Sequence, residues 1–143
     1  MPHWKHYEHG ADVGIEGVGA TKEEAYIQAA LALTAIITNL EDVTPKTKVE
    51  IECEAPNDEL IFVDWLNSLI YEMDNRKILF CQFGLEINAG QSNNRILHGS
   101  AWGEKIERTK HKPAVEVKGA TYTTLRVYED VNHLWHAQTV VDV

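Results

Sequence analysis

Between Lys46 and Met73 the apolar residues change period, and that change constrains the fold more than any other feature. From Lys46 to Glu54, Val49, Ile51 and Cys53 alternate with Lys48, Glu50, Glu52 and Glu54. That period of two belongs to a half-buried strand. Pro56, Asn57 and Asp58 then break the strand and offer a helix cap. From about Glu59 to Met73, the residues Phe62, Leu66, Leu69, Ile70 and Met73 recur at helical spacing, with Trp65 near the edge of that face. A chain that switches from 2 to 3.6 within one continuous segment must pack helices onto a sheet.

The remaining segments extend the same architecture. Trp4 to His9 and Val13 to Glu16 read as short strands around a polar turn, punctuated afterwards by Gly17 and Gly19. Thr21 and Glu24 have the spacing of a capping box. They open a helix whose apolar face is Ala25, Tyr26, Ala29, Ala30, Leu33, Ile36 and Ile37, ending near Asn39. Leu79 to Ile87 and Arg95 to Glu104 read as strands, Thr109 to Pro113 as a loop, and Val115 and Val117 as the start of another strand. Thr124 to Tyr128 and Leu134 to Asp142 read as a hairpin. The expected class is α+β, two helices packed on a largely antiparallel sheet, in one domain over 1–143.

Composition narrows the function. Lys and Arg number 13 against 22 Asp and Glu, a formal net charge of −9. Such a balance argues against a protein that coats nucleic-acid phosphates, because that affinity is dominated by Lys and Arg. Two cysteines, Cys53 and Cys81, are too few for a disulfide framework and read as small buried hydrophobes. No basic-then-apolar leader opens the chain and no stretch has the length and apolarity of a membrane span, so a cytoplasmic location is expected.

The chemistry-bearing residues are few. Strand alternation from Leu134 places His136, Gln138, Val140 and Asp142 on one face, and Asp142 stands beside Val143 and its α-carboxylate. Two anionic groups so close repel unless water, a donor or a cation lies between them. An all-oxygen donor set favours Ca²⁺, Mg²⁺ or Mn²⁺ over zinc. The competing reading is a solvated terminus, though the strand stays apolar to its end. Asp12 is a second candidate; its local reading is an Asx turn, its carboxylate accepting from the backbone two residues on. His3, His6 and His9, and His133 and His136, recur every third residue, which on a strand points them to opposite faces and does not converge on zinc. His98 lacks a recognisable nucleophile or carboxylate partner. Neither a nucleophile elbow nor a phosphate loop is present. In Val117 to Tyr122, Lys118 precedes Gly119 and a hydroxyl pair; it reads either as a surface lysine or as one fixed toward an anionic partner.

Taken together, five segments resemble the archease family. Tyr7 to Ile15 resembles its opening His-Thr-Ala-Asp-Val-Gly-Ile. Glu23 to Tyr26 with Ala29 to Leu33 resembles its first helix, and Trp65 to Tyr71 its Trp-Leu-Asn-Glu-Leu-Leu-Tyr helix. Val117 to Tyr122 resembles its Val-Lys-Ala-x-Thr-Tyr-His strand, and Val140 to Val143 its terminal Val-Asp-Val. The resemblance implies an accessory protein rather than an enzyme. Its partner would be an RtcB-type tRNA-splicing ligase, which joins a 2′,3′-cyclic phosphate or 3′-phosphate end to a 5′-hydroxyl with GTP and Mn²⁺. The accessory protein would promote guanylylation of the ligase histidine and multiple turnover, meeting RNA only through the ligase. The resemblance further implies a divalent metal, Ca²⁺ in the family, at Asp12, Asp142 and Val143. Lys118 and Tyr122 are candidate partner contacts. An alternative role is a chaperone-like module acting on an RNA-modifying enzyme such as a tRNA methyltransferase. Gly10, Ser68 and Thr123 depart from the family's usual Thr, Glu and His.

Overall fold

The computed structural model describes residues 1–143. Its α+β class is the expected one, with the strands divided between two antiparallel sheets. The order is β1 (His3–His9), β2 (Asp12–Gly19), α1 (Lys22–Ile37), β3 (Thr47–Ala55), α2 (Asp58–Arg76), β4 (Ile78–Ala89), β5 (Arg95–Lys105), α3 (Arg108–His111), β6 (Gly119–Ala120), β7 (Arg126–Glu129) and β8 (Trp135–Asp142). One sheet runs β1-β2-β8-β6, with β7 also paired to β8; the other runs β3-β5-β4. No helix is long and apolar enough to cross a membrane.

Local chemistry sets the helix starts. Thr21 Oγ1 accepts from the Glu24 N–H at 3.1 Å, and Glu24 Oε1 accepts from the Ala20 N–H at 2.7 Å, so the capping box forms with its return bond one residue early. Asn57 Oδ1 accepts from the Leu60 N–H at 2.9 Å and opens α2. Helix α1 packs on β1, β2 and β8 of one sheet and on β4 of the other, which explains why its alanines are buried on more than one side.

Gly17 and Gly19 do not end the second strand, contrary to expectation. β2 continues through both because α1 lies directly on it: a Cβ on Gly17 would stand 2.0 Å from the Ala25 carbonyl oxygen and 2.4 Å from the Ala29 nitrogen. Trp65 is fully buried rather than peripheral. Its Nε1–H donates to the Tyr26 carbonyl at 3.1 Å, tying α2 to α1. The expected Thr109–Pro113 loop is overlapped by the single helical turn α3, which begins at Arg108, and Val115 and Val117 lie in irregular chain before the two-residue β6. Cys53 is buried and Cys81 half-buried, both as free thiols.

Candidate functional site

Asp12, Asp142 and Val143 come from opposite ends of the sequence, and sheet register brings them together. β1 and β2 are joined by Gly10 and Ala11, with His9 paired to Asp12. Gly10 adopts φ +61° while Ala11 stays at negative φ, the signature of a two-residue turn with a left-handed first position. Glycine accepts that position at no steric cost, so the Gly10 departure is the residue this turn requires. Asp12 is therefore the first residue of β2. β2 pairs antiparallel with β8 through Val13↔Val141, and one further step sets Asp12 opposite Asp142.

The Asp12 carboxylate does not form an Asx turn. Its Oδ1 accepts from the Val143 N–H at 3.3 Å, across the sheet. On the other side of β8, Gly119 pairs with Asp142, and the Lys118 N–H donates to the Asp142 carbonyl at 2.9 Å. Asp12, Asp142 and Val143 are all half-buried, and Val143 packs against the core, so the strand end is held and not frayed. No Lys, Arg or His nitrogen lies within 4.0 Å of either aspartate, whereas thirteen ion pairs form elsewhere. No group of three or more His, Cys, Asp or Glu side chains is placed to hold a metal. A cation here would draw on two aspartates and on the carboxylate of Val143. That set is all oxygen and anionic, which fits a hard divalent ion.

Lys118 is exposed and its Nζ makes no ion pair, and Tyr122 is 68% exposed. Both flank β6, the strand beside Asp142. Sequence reasoning missed what holds β6. Asn67, on α2, accepts from the Ala120 N–H at 2.9 Å and donates to the Ala120 carbonyl at 3.3 Å, acting as a strand neighbour would. An asparagine inside a helix is locally unfavourable, and that was the available signal.

Two polar networks lie away from this site. Glu104 accepts from Lys110 Nζ at 2.6 Å, from His111 Nε2 at 2.9 Å and from the Thr44 N–H at 3.0 Å, and these bonds pull its carboxyl down to about 2. The Glu107 N–H donates to His111 Nδ1, which leaves the imidazole proton on Nε2, facing Glu104. His136 lies between Glu16 Oε2 and Asp130 Oδ2, each at 2.7 Å. Burial would lower its pKa, but the two carboxylates outweigh burial and raise it. The other histidines are scattered: His6 Nε2 bonds the Ala32 carbonyl at 2.8 Å, and His98 stands 3.7 Å from Glu52 on an exposed strand face.

Residues 4–143 match the model of the Archease protein family (MTH1598/TM1083). The chain is 38% identical to Protein archease of Pyrococcus furiosus and 34% identical to that of Thermococcus kodakarensis, each over 100% of both chains. Among solved structures, it superposes on the solution structure of Methanobacterium thermoautotrophicum protein 1598 with a TM-score of 0.85, at 27% identity over 98% of each chain.

Proposed function

The chain belongs to the archease family, and from that premise we propose that it is a non-catalytic activator of an RtcB-type RNA ligase in tRNA splicing and repair. The observation that supports the reading most directly is the cross-sheet contact of Asp12 with Val143, which joins the opening and closing motifs of the sequence at one place. In this reading Asp12, Asp142 and the Val143 carboxylate hold a divalent cation, Ca²⁺ or alternatively Mn²⁺ or Mg²⁺. Bound there, the cation offsets the mutual repulsion of three carboxylates. The chain's own contribution is positional. The β2–β8 register and the β6 pairing fix the aspartates, and the half-buried setting limits water around them. Lys118 and Tyr122 border the site and contact the ligase. Net charge −9 directs the protein toward a basic face of the ligase and away from bare RNA, raising association rate more than affinity.

The test is a multiple-turnover ligation assay with an RtcB-type ligase, GTP and cleaved tRNA, with and without this protein. Stimulation is expected, with a smaller effect from Asp142→Asn or from a C-terminal extension that turns the Val143 carboxylate into an amide. Stimulation should fall as salt shortens the Debye length to about 10 Å at 0.1 M. Tight binding of isolated tRNA without capture of the ligase would overturn the reading.

A further inference from the structure

β3 pairs with β5 alone, so its other edge presents unpaired backbone N–H and C=O groups. Helix α2 packs on the inner face of this sheet, against β3 above all. The two elements enclose a groove of about 510 Å³ to which no other element contributes. One wall is the β3 segment Glu50 to Glu54, with Ile51 and Cys53 turned toward α2 and Glu50, Glu52 and Glu54 turned to the outer sheet face along the same edge. The other is a single stripe of α2, with Asp64, Ser68, Tyr71 and Glu72 at helical spacing. Cys53 and Ser68 meet with Sγ and Oγ 3.5 Å apart, and both side chains are small. Tyr71 is 64% exposed above them.

The groove carries five carboxylates and no Lys or Arg. Lys48 lies 3.1 Å from Glu50 and Arg76 lies 2.9 Å from Glu72. Glu52 faces only His98 at 3.7 Å, Glu54 accepts from Asn94 at 3.0 Å, and Asp64 makes no hydrogen bond or ion pair. Charged edges also discourage self-pairing, but that task requires neither a helix wall nor an exposed tyrosine.

We propose that the β3–α2 groove is a strand-addition site for an extended segment of a protein partner bearing Lys or Arg at alternate positions. Backbone pairing with the free edge supplies affinity, and the period of two sends one set of side chains over the outer sheet face beside Glu50, Glu52 and Glu54 and the alternate set toward α2. Glu50 to Glu54 spans about 13 Å at about 3.3 Å per residue, matching a segment of about five residues. Lysine and arginine in the outer set meet Glu52 and Glu54, which have no Lys or Arg partner, and the intervening residues lie toward Ser68 and Tyr71. A second copy of this chain is disfavoured because it would bring its own Glu50, Glu52 and Glu54 against the first set. Nucleic-acid phosphates meet the same repulsion. The inference rests on neither the cation site nor the ligase.

The experiment titrates a capped seven-residue peptide of alternating Lys and Val into ¹⁵N-labelled protein, following amide shifts. Shifts should centre on 50–54 and on the α2 stripe. A fully backbone-N-methylated peptide keeps every charge but loses every N–H donor; it should bind at least about tenfold more weakly, as strand addition requires. The double variant Glu52→Lys, Glu54→Lys changes only exposed side chains, and it should weaken binding by at least about tenfold through charge repulsion. Equal binding of the two peptides reduces the site to charge attraction and overturns the proposal. So does an absence of binding, or shifts centred elsewhere. Concentration-dependent shifts of the β3 amides without peptide, with a dimer in sedimentation, would identify a second copy as the occupant instead.

Discussion

Removing the Asn67 side chain isolates the contact that holds β6 against the candidate cation site. Asn67→Ala deletes two hydrogen bonds to Ala120, at 2.9 and 3.3 Å. Each is worth about 0.5–1.5 kcal/mol net, so the gross loss is about 1–3 kcal/mol. Ala120 is half-buried, so water can reach the freed groups and the full penalty for buried orphans does not apply. Alanine is also the better helix former inside α2, by about 0.5 kcal/mol. The net expectation is a destabilisation of about 1–2 kcal/mol. For a domain of this length, that lowers Tm by about 2–8 °C.

The local effect should exceed the global one. β6 pairs only two residues with β8, Gly119 with Asp142 and Ala120 with Val141. So short a strand depends on Asn67 for its other edge. Calorimetry should show Tm falling by that amount, hydrogen exchange should show the Ala120 amide losing protection first, and titration should show weaker Ca²⁺ binding. Asn67→Asp keeps the acceptor for the Ala120 N–H but turns a second oxygen toward the Ala120 carbonyl, so it should not rescue. If Asn67→Ala melts within about 1 °C of the parent and the Ala120 amide keeps its protection, the two bonds do not hold β6. If Asp142→Asn leaves Ca²⁺ binding unchanged, the cation site fails and the Asn67 effect on stability is still readable.

Three further expectations follow from other parts of the fold. Gly17→Ala forces a methyl to within 2.0 Å of the Ala25 carbonyl oxygen, a backbone atom of α1. It should cost at least the upper part of the about 1–3 kcal/mol typical of overpacking, read by urea denaturation, and an unchanged midpoint would show that α1 can move away. Glu104 is held at about 2, below its unfolded value, chiefly by Lys110 and His111. Its contribution should be complete above about pH 4.3 and should fade as pH falls toward 2, so Glu104→Gln should flatten the acid limb of stability against pH. His136 is shifted the other way; its contribution should be complete below about pH 6.5 and fade as pH rises through the raised value. His136→Gln should then remove stability at pH 5.5 and much less at pH 9, and an equal loss at both would show that charge is not involved.

The division between what the sequence disclosed and what it withheld follows the range of the interactions. Period and caps are local, so β3, α2 and the Thr21 and Asn57 helix starts were readable from a few neighbouring residues. Gly17 and Gly19 looked like punctuation because their cause lies in another element, the α1 backbone on top of Gly17 and the Glu24 side chain on top of Gly19. The partition of strands into two sheets was also out of reach, since alternation says which face is buried but not which strand lies alongside. The candidate site shows both limits at once. Asp142 beside Val143 was visible as a chain-end pair, and Asp12 as a turn residue with a plausible local partner. That local partner was the wrong one: the N–H that Asp12 accepts from belongs to Val143, 131 positions away. Only the resemblance to archease placed the two ends together in advance. The sheet supplies the physical reason, because Gly10 makes the turn tight enough for Asp12 to begin β2, and with His9 on one side, Val13 paired with Val141 puts the end of β8 on the other.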